Sequence, residues 1–332
     1  MPELANAVRE LTMGEAIYEA LAEELRRDPR VLIMGEDVAE AGTAFKVLSG
    51  LVDEFGPDRV LDTPISEAGF TGIGVGAAMT GLRPVVDIMF GDFAGLIMDQ
   101  MVNQAAKVHY MSGGRWSVPM TLRTTMGATR RSAAQHSQSL HAWFCHIPGL
   151  KVVVPSTPYD AKGLLKSAIR DPNPVVFFED KVMYKLKGPV PEGEYTIPLG
   201  VADVKRIGKD VTIIATSSMV TTALGAATML EEYDISAEIV DPRTLWPLDE
   251  ATLIASARKT HRVMIVDEGY ERYGVTGELV AMIQEHAFFD LEAPIKRMGA
   301  MHVPIPFSPS LEDATVPTEL SIFEAVRALC NR

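Results

Sequence analysis

The chain has 332 residues, of which 47% are hydrophobic and 23% charged, with a formal net charge of −13; that is room for two domains of ~100–200 residues and the composition of an ordinary globular protein. An acidic surface disfavours nucleic acid and anionic lipid as partners. Two cysteines, Cys145 and Cys330, without paired spacing argue against a disulfide framework and fit a reducing cytoplasm; the start MPELANAVRELTMGEA lacks a signal-peptide layout, and Phe70–Leu82 falls short of the ~18 apolar residues of a membrane span, so a soluble protein is expected.

Thr12 and Glu15 form a T-x-x-E capping box that opens a helix to about Arg27. Val31–Met34 has the apolar run of a buried strand and ends at Gly35. Val60–Asp62 is a short strand, residues 66–80 a helix, and 84–90 a strand leading into one long helix from about Asp92 to Met111. Strands at 120–124, 151–154 and 175–178 follow, with a helix at 159–170 before the last. Short, non-alternating apolar strands separated by helices predict a parallel sheet covered on both faces. Residues 181–198 carry three prolines and two glycines and suggest a linker. Beyond it the alternation resumes, with strands at 211–216, 237–240, 263–266 and 295–298 and helices at 220–233, 249–257 and 275–287. The expected fold is α/β with two doubly wound domains, over residues 1–185 and 201–332, joined by a linker at 186–200.

Ligands of open parallel sheets bind beyond the carboxyl ends of the strands. Glu36-Asp37, Ser66-Glu67 and the stretch from Met89 to Phe93 all fall there, so two acids, a methionine and an aromatic ring should converge on one crevice. Each acid also has a plain structural use, since a carboxylate near a helix N-terminus is favoured by the dipole alone. Gly72, Gly74 and Gly76 are spaced by two rather than as G-x-G-x-x-G, which points to close helix packing more than to a nucleotide loop. His136, His141 and His146 are five apart, which is wrong for one helical face and hence for a zinc site. His136, in the polar stretch AAQHSQ, is a candidate acid or base near neutral pH.

Several segments together resemble the beta subunits of pyruvate, branched-chain 2-oxoacid and acetoin dehydrogenases, which depend on thiamine diphosphate. They include GEDV (Gly35–Val38), DTPISEAGF (Asp62–Phe70), AMTGLRPV (Ala78–Val85), MDQMVNQAAK (Met98–Lys107), YMSGG (Tyr110–Gly114), AAQHSQ (Ala133–Gln138), NPVVFFE (Asn173–Glu179), RTLWPLD (Arg243–Asp249) and VDEGY (Val266–Tyr270). The resemblance runs nearly end to end, and implies a transketolase-like pyrimidine-binding domain followed by a transketolase C-terminal-like domain.

By that resemblance Glu67 holds a proton against the ring nitrogen of the cofactor's aminopyrimidine, which calls for a carboxyl raised by burial. Phe93 stacks on that ring, Met89 and Ile65 line its pocket, and Glu36 anchors a polar network reaching the cofactor. His136 faces the substrate side, to move protons or hold a lipoyl arm. Backbone carbonyls of Met120, Ala168, Ile169, Asp171 and Asn173 align with a structural potassium site. No G-D-G start of a diphosphate site is present, so the magnesium ion and the diphosphate fall to an alpha subunit, in a heterotetramer of two alpha and two beta chains. A lipoyl acyltransferase core is the further partner implied, and the cytoplasm the expected compartment. The stretches Arg123–Ser132 and Asp87–Phe93 look most like acetoin-type subunits. They imply cleavage of acetoin to acetaldehyde, leaving a hydroxyethyl unit on the cofactor, with pyruvate or a branched-chain 2-oxoacid as the alternative substrate. Two other readings compete: a self-sufficient nicotinamide-dependent dehydrogenase built on the glycine cluster, and an assembly subunit that keeps only the fold.

Overall fold

A computed structural model describes residues 8–330. Contacts divide the chain into two compact units, a first reaching Met126 and including Trp143–Leu199, and a second made of Gly127–Ala142 and the residues from Gly200 on.

The first unit opens with strand β1 (Val8–Thr12) and helix α1 (Met13–Arg27). The Thr12–Glu15 box is closed in both directions, Glu15 N donating to Thr12 Oγ1 at 3.2 Å and Thr12 N to Glu15 Oε2 at 2.7 Å. Then come β2 (Val31–Gly35), α2 (Leu51–Phe55), β3 (Val60–Asp62), α3 (Glu67–Met79) and β4 (Arg83–Ile88). The single helix expected from Asp92 to Met111 is instead broken into a 3-10 turn at Gly91–Phe93, α4 (Ala94–Met98), a π-helical stretch at Asp99–Ala105 and α5 (Val108–Met111). The wider turns free carbonyls from the regular ladder, and Lys107 Nζ donates to one of them, Val102 O, at 3.1 Å. The unit finishes with β5 (Thr121–Met126), α6 (His141–Cys145, begun in the second unit), β6 (Lys151–Val153), α7 (Pro158–Arg170), β7 (Val175–Asp180) and β8 (Lys187–Pro191).

Its sheet runs β6-β7-β5-β4-β2-β3, all parallel. Side chains of β2 and β4 alternate between faces as the pleat requires. Ile33 and Val85 join the core with α1 and α7, while Met34 and Val86 lie under α3 on the opposite face, where a Cβ on Gly74 would come within 2.6 Å of Val86. That close approach is the packing use expected of the glycine cluster, but only at Gly74: a Cβ on Gly72 would make an ordinary contact and one on Gly76 would meet nothing within 4 Å. Helices α1 and α7 also share an ion network: the side chains of Lys162 and Lys166 are fully buried, Lys162 bonding Glu23 at 2.7 Å and Lys166 bonding Glu194 at 2.7 Å. The stretch expected as a linker is folded onto this unit up to Leu199. β8 pairs antiparallel with β1, and Tyr195 stacks on Tyr159 with ring centroids 4.8 Å apart. The proline content that suggests a linker is accommodated on a two-stranded edge ribbon, where an absent N–H costs little.

In the second unit, β9 (Asp203–Arg206), β10 (Val211–Ala215), α8 (Ser218–Glu231), β11 (Ala237–Asp241), β12 (Thr244–Trp246), α9 (Glu250–Thr260), β13 (Val263–Tyr270), α10 (Val275–Ala287), β14 (Lys296–Ala300), α11 (Pro309–Asp313) and α12 (Glu319–Leu329) follow in order. Five of these strands form a sheet ordered β14-β13-β10-β11-β9, parallel except for the edge strand β9. Leu230 and Phe323 pack on one face and Leu253 and Ile283 on the other, so this unit too is doubly wound. No helix among the described residues is long and apolar enough to cross a membrane.

Candidate active site

Strands β3, β2 and β4 are neighbours, and their carboxyl ends are in register: Gly35 is opposite Asp62 on one side and Asp87, the penultimate residue of β4, on the other. The chain turns outward from β2 to β3, then returns across β2 to β4, so the connections leaving β2 and β4 diverge and open a crevice. Gly35 permits this, since a Cβ there would lie 2.6 Å from Asp87 O. Of the residues expected around the cofactor, Glu36 follows β2, Ile65 and Glu67 follow β3, and Met89 and Phe93 follow β4. The structure therefore brings these five to the carboxyl ends of three adjacent strands.

Glu67 is the first residue of α3, whose N-cap Ser66 makes no side-chain cap. It is only 9% exposed, and its carboxyl has no hydrogen-bond partner among the described residues. Its carboxyl oxygens keep some contact with solvent, so a ligand able to share a proton can reach them at the open helix N-terminus. Glu36 is half-buried, and its carboxyl is pushed up by burial and then by the charges of Asp37 and Glu67. Its loop is pinned to β3, with Ala39 N donating to Asp62 Oδ1 at 2.7 Å and Glu40 N to Oδ2 at 3.2 Å. Ile65 is 74% exposed. Phe93 is half-buried and meets Phe90 edge-on at 5.7 Å.

Beneath Met89 lies a charged cluster that the sequence reading passed over. Arg123 on β5 is 2% exposed. It donates through Nη1 to Asp87 on β4 at 2.5 Å, and through Nε and Nη2 to Glu179 on β7 at 2.5 and 2.7 Å. Tyr184 Oη donates to Glu179 at 2.8 Å, and Thr125 Oγ1 to Met89 O at 2.9 Å. Burial pushes the Asp87 carboxyl up to about 6, against the pull of Arg123, and burial drives the Tyr184 hydroxyl well above the usual tyrosine value. Thr43, Phe45, Asp87, Met89, Arg123 and Glu179 line a small cavity there. A signal did exist: Asp87, Arg123 and Glu179 are charges of mixed sign near the ends of three otherwise buried neighbouring strands.

The five carbonyl residues expected around potassium lie at the other end of the sheet. Met120 precedes β5, Ala168 and Ile169 end α7, and Asp171 and Asn173 precede β7. Arg83 Nη1 donates to Ile169 O at 2.9 Å and Asp171 O at 3.2 Å, Val175 N donates to Met120 O at 3.0 Å and Asp171 N to Ala168 O at 3.2 Å. Each carbonyl keeps a second lone pair.

His136 belongs to the second unit, half-buried on the segment Gly127–Ala142. His141, from the same set of three histidines, sits in a carboxylate pair: Nε2 lies 3.0 Å from Asp267 Oδ2, both residues nearly inaccessible. Among the described residues no three His, Cys, Asp or Glu side chains cluster so as to hold a metal ion.

Two doubly wound units, the first with candidate ligand residues at its strand ends, are the architecture of a transketolase-type chain, and the comparisons assign that class. Residues 9–187 match the transketolase pyrimidine binding domain and residues 200–322 the transketolase C-terminal domain. The solved structure of a split gene transketolase, an inactive beta4 tetramer, has the same fold, with a TM-score of 0.78 at 24% identity, covering 97% of this chain and 98% of that one. Acetoin:2,6-dichlorophenolindophenol oxidoreductase subunit beta of Bacillus subtilis is 53% identical, over 93% of this chain and 94% of its own. The pyruvate dehydrogenase E1 component subunit beta-1 of Oryza sativa is 47% identical over 98% and 88%, and the 2-oxoisovalerate dehydrogenase subunit beta of Bacillus subtilis 45% over 96% and 98%. This chain belongs to the family of 2-oxoacid and acetoin dehydrogenase beta subunits.

Proposed function

We propose that the chain is the beta subunit of a thiamine-diphosphate-dependent acetoin dehydrogenase, active only with an alpha subunit that holds magnesium and the diphosphate, and delivering its acetyl group to a lipoyl acyltransferase. The observation that carries this is the Glu67 carboxyl at the head of α3, on a residue only 9% exposed and without a hydrogen-bond partner among the described residues. The bound cofactor supplies a carbon nucleophile and an electron sink for the two-carbon fragment. Glu67 holds a proton toward the aminopyrimidine ring nitrogen, with Glu36 beside it to complete the polar wall. Met89, Phe93 and the exposed Ile65 give that ring an apolar seat and exclude water from it. His136 serves the later step, moving a proton or holding the lipoyl arm while the acyl group leaves.

Acetoin is preferred over pyruvate because the 53% identity to the acetoin-acting relative exceeds the 47% to the pyruvate dehydrogenase subunit. Co-expression with an alpha-type subunit, followed by dye-reduction assays, tests it. Acetoin should give the highest kcat/KM and the isolated chain should give none. A higher value for pyruvate or a branched-chain 2-oxoacid would move the assignment to that substrate, and activity from the chain alone would end the shared-site reading.

Potassium is the other ion proposed, bound by the free lone pairs of the Met120, Ala168, Ile169, Asp171 and Asn173 carbonyls. The set suits it in being made of neutral oxygens, with Arg83 as a competing charge. Apparent melting of the complex should be higher in KCl than in NaCl at equal ionic strength; identical melting removes the ion.

A further inference from the structure

The segment that carries His136 leaves the first unit's sheet at Met126 and is packed with the second unit until Ala142. Four of its first seven residues adopt positive φ: Gly127 at 98°, Thr129 at 64°, Arg131 at 58° and Ala133 at 59°. Three of those four are not glycine, and such a conformation persists only where surrounding contacts over-determine it. Among those contacts are carboxylates of the second unit. Glu268, 6% exposed, accepts from Ala128 N at 2.6 Å and from Ser218 Oγ at 3.0 Å. Glu312, fully buried, accepts from Arg131 N at 3.2 Å and from its Nη1 at 2.7 Å, and Asp313 takes Arg131 Nη1 and Nη2 at 2.6 and 3.0 Å. At the far end Asp267 binds His141 at 3.0 Å, and is itself fixed by Thr216 Oγ1 and by Gly269 N at 2.9 Å.

Both ends of the segment are thus tied to the second unit, and two of the tying groups, Asp267 and Glu268, are consecutive residues of β13 beyond its paired run with β10. Solvent-exposed ion pairs contribute little. Charge-assisted bonds to a backbone N–H inside a protein are stronger and directional, and they fix the segment's conformation rather than merely its proximity. A loop that only joined two domains would need no such restraint.

We infer that Glu268 is a positioning residue for the acyl-transfer step, holding the strained start of the His136 segment so that the C-terminal unit acts in the reaction as well as in assembly. This rests on the role given to His136 above. The carboxylate binds no substrate; it works through the Ala128 N–H. Glutamine can keep these two bonds, its amide oxygen accepting from Ala128 N and its amide nitrogen donating to Ser218 Oγ, whereas alanine loses them.

The test uses the co-expressed complex with thiamine diphosphate and magnesium. Glu268→Ala should be cut by trypsin after Arg130 and Arg131 about tenfold faster than the parent, because the segment opens more often. It should transfer acyl groups to a lipoyl domain roughly 10–100-fold more slowly, the range a misplacement of about 1 Å can produce. Cofactor Kd and dye-linked turnover should stay within about twofold, since Glu67 and its neighbours are untouched, and Glu268→Gln should restore both cleavage and transfer. If Glu268→Ala lowers the yield of complex, Asp313→Ala removes the exposed half of the restraint, keeps both trypsin sites, and should move both readouts the same way. Unchanged cleavage in both variants overturns the inference. Faster cleavage with undiminished transfer also overturns it, and a parallel His136→Ala then locates the failure. If that variant transfers normally, the role given to His136 is wrong; if it is inactive, the positioning is.

Discussion

Glu67→Gln in the co-expressed complex should lower turnover by about 10²–10⁴-fold, the usual range for losing a general acid–base group, while assembly and melting change little. Glutamine matches glutamate in shape but cannot exchange a proton at that position, so the chemical role is isolated from packing. The structural alternative is that Glu67 merely complements the dipole of α3, an effect of about 0.3–1 kcal/mol that would appear in melting and leave kcat intact. Part of even that loss is offset, because the Glu67 charge is one of the causes that hold the Glu36 carboxyl up. Cofactor Kd, read by quenching of protein fluorescence, should weaken only modestly. Turnover within about threefold of the parent would remove Glu67 from the mechanism, whatever happened to stability.

What was legible in the sequence was what local chemistry decides. The Thr12–Glu15 box needs only a three-residue spacing, and both of its hydrogen bonds are present. The strand Val31–Gly35 advertises itself by an apolar run and Val60–Asp62 by two apolar residues, and their order along the chain places Glu36, Glu67 and Met89 just beyond strand ends. What escaped was non-local. β1 finds its partner β8 far along the chain, Val8 opposite Pro191, and no pattern in either stretch announces the other. The π-helical stretch at Asp99–Ala105 looks like ordinary helix, because a change from four-residue to five-residue bonding leaves the periodicity nearly intact over so short a run. The stretch Ala133–Gln138 reads as polar and loop-like, yet the unit to which the surrounding Gly127–Ala142 belongs is set by Asp267, Glu268 and Glu312, more than a hundred residues later.

The second large effect is expected at Arg123. Arg123→Met strips the cation from between two carboxylates, Asp87 and Glu179, that are 6% and 1% exposed. Burying a charge without its partner costs about 3–5 kcal/mol, so the apparent melting temperature at neutral pH should fall by roughly 6–20 °C for a unit of this size. Two comparisons separate lost charge balance from lost packing. In the triple variant Arg123→Met, Asp87→Asn, Glu179→Gln no carboxylate is stranded, and most of the stability should return, since neutral groups of similar volume often replace a buried triad without penalty. The pH dependence supplies the other. The folded Asp87 carboxyl is raised from 3.8 to about 6 by burial, so the folded state holds its proton more tightly than the unfolded chain does. Its contribution to stability is therefore complete below about pH 3.8 and is lost as pH rises through 6. Melting of the parent, compared with Asp87→Asn, should decline across that window, and the variant's own curve should be flatter there. Because Asp87 lies two residues before Met89, which directly follows β4, the balance of this cluster also decides how firmly the floor of the crevice is held. Arg123→Met with parental melting, or a triple variant no more stable than the single, would mean that shape, and not charge, holds β4, β5 and β7 together at that end.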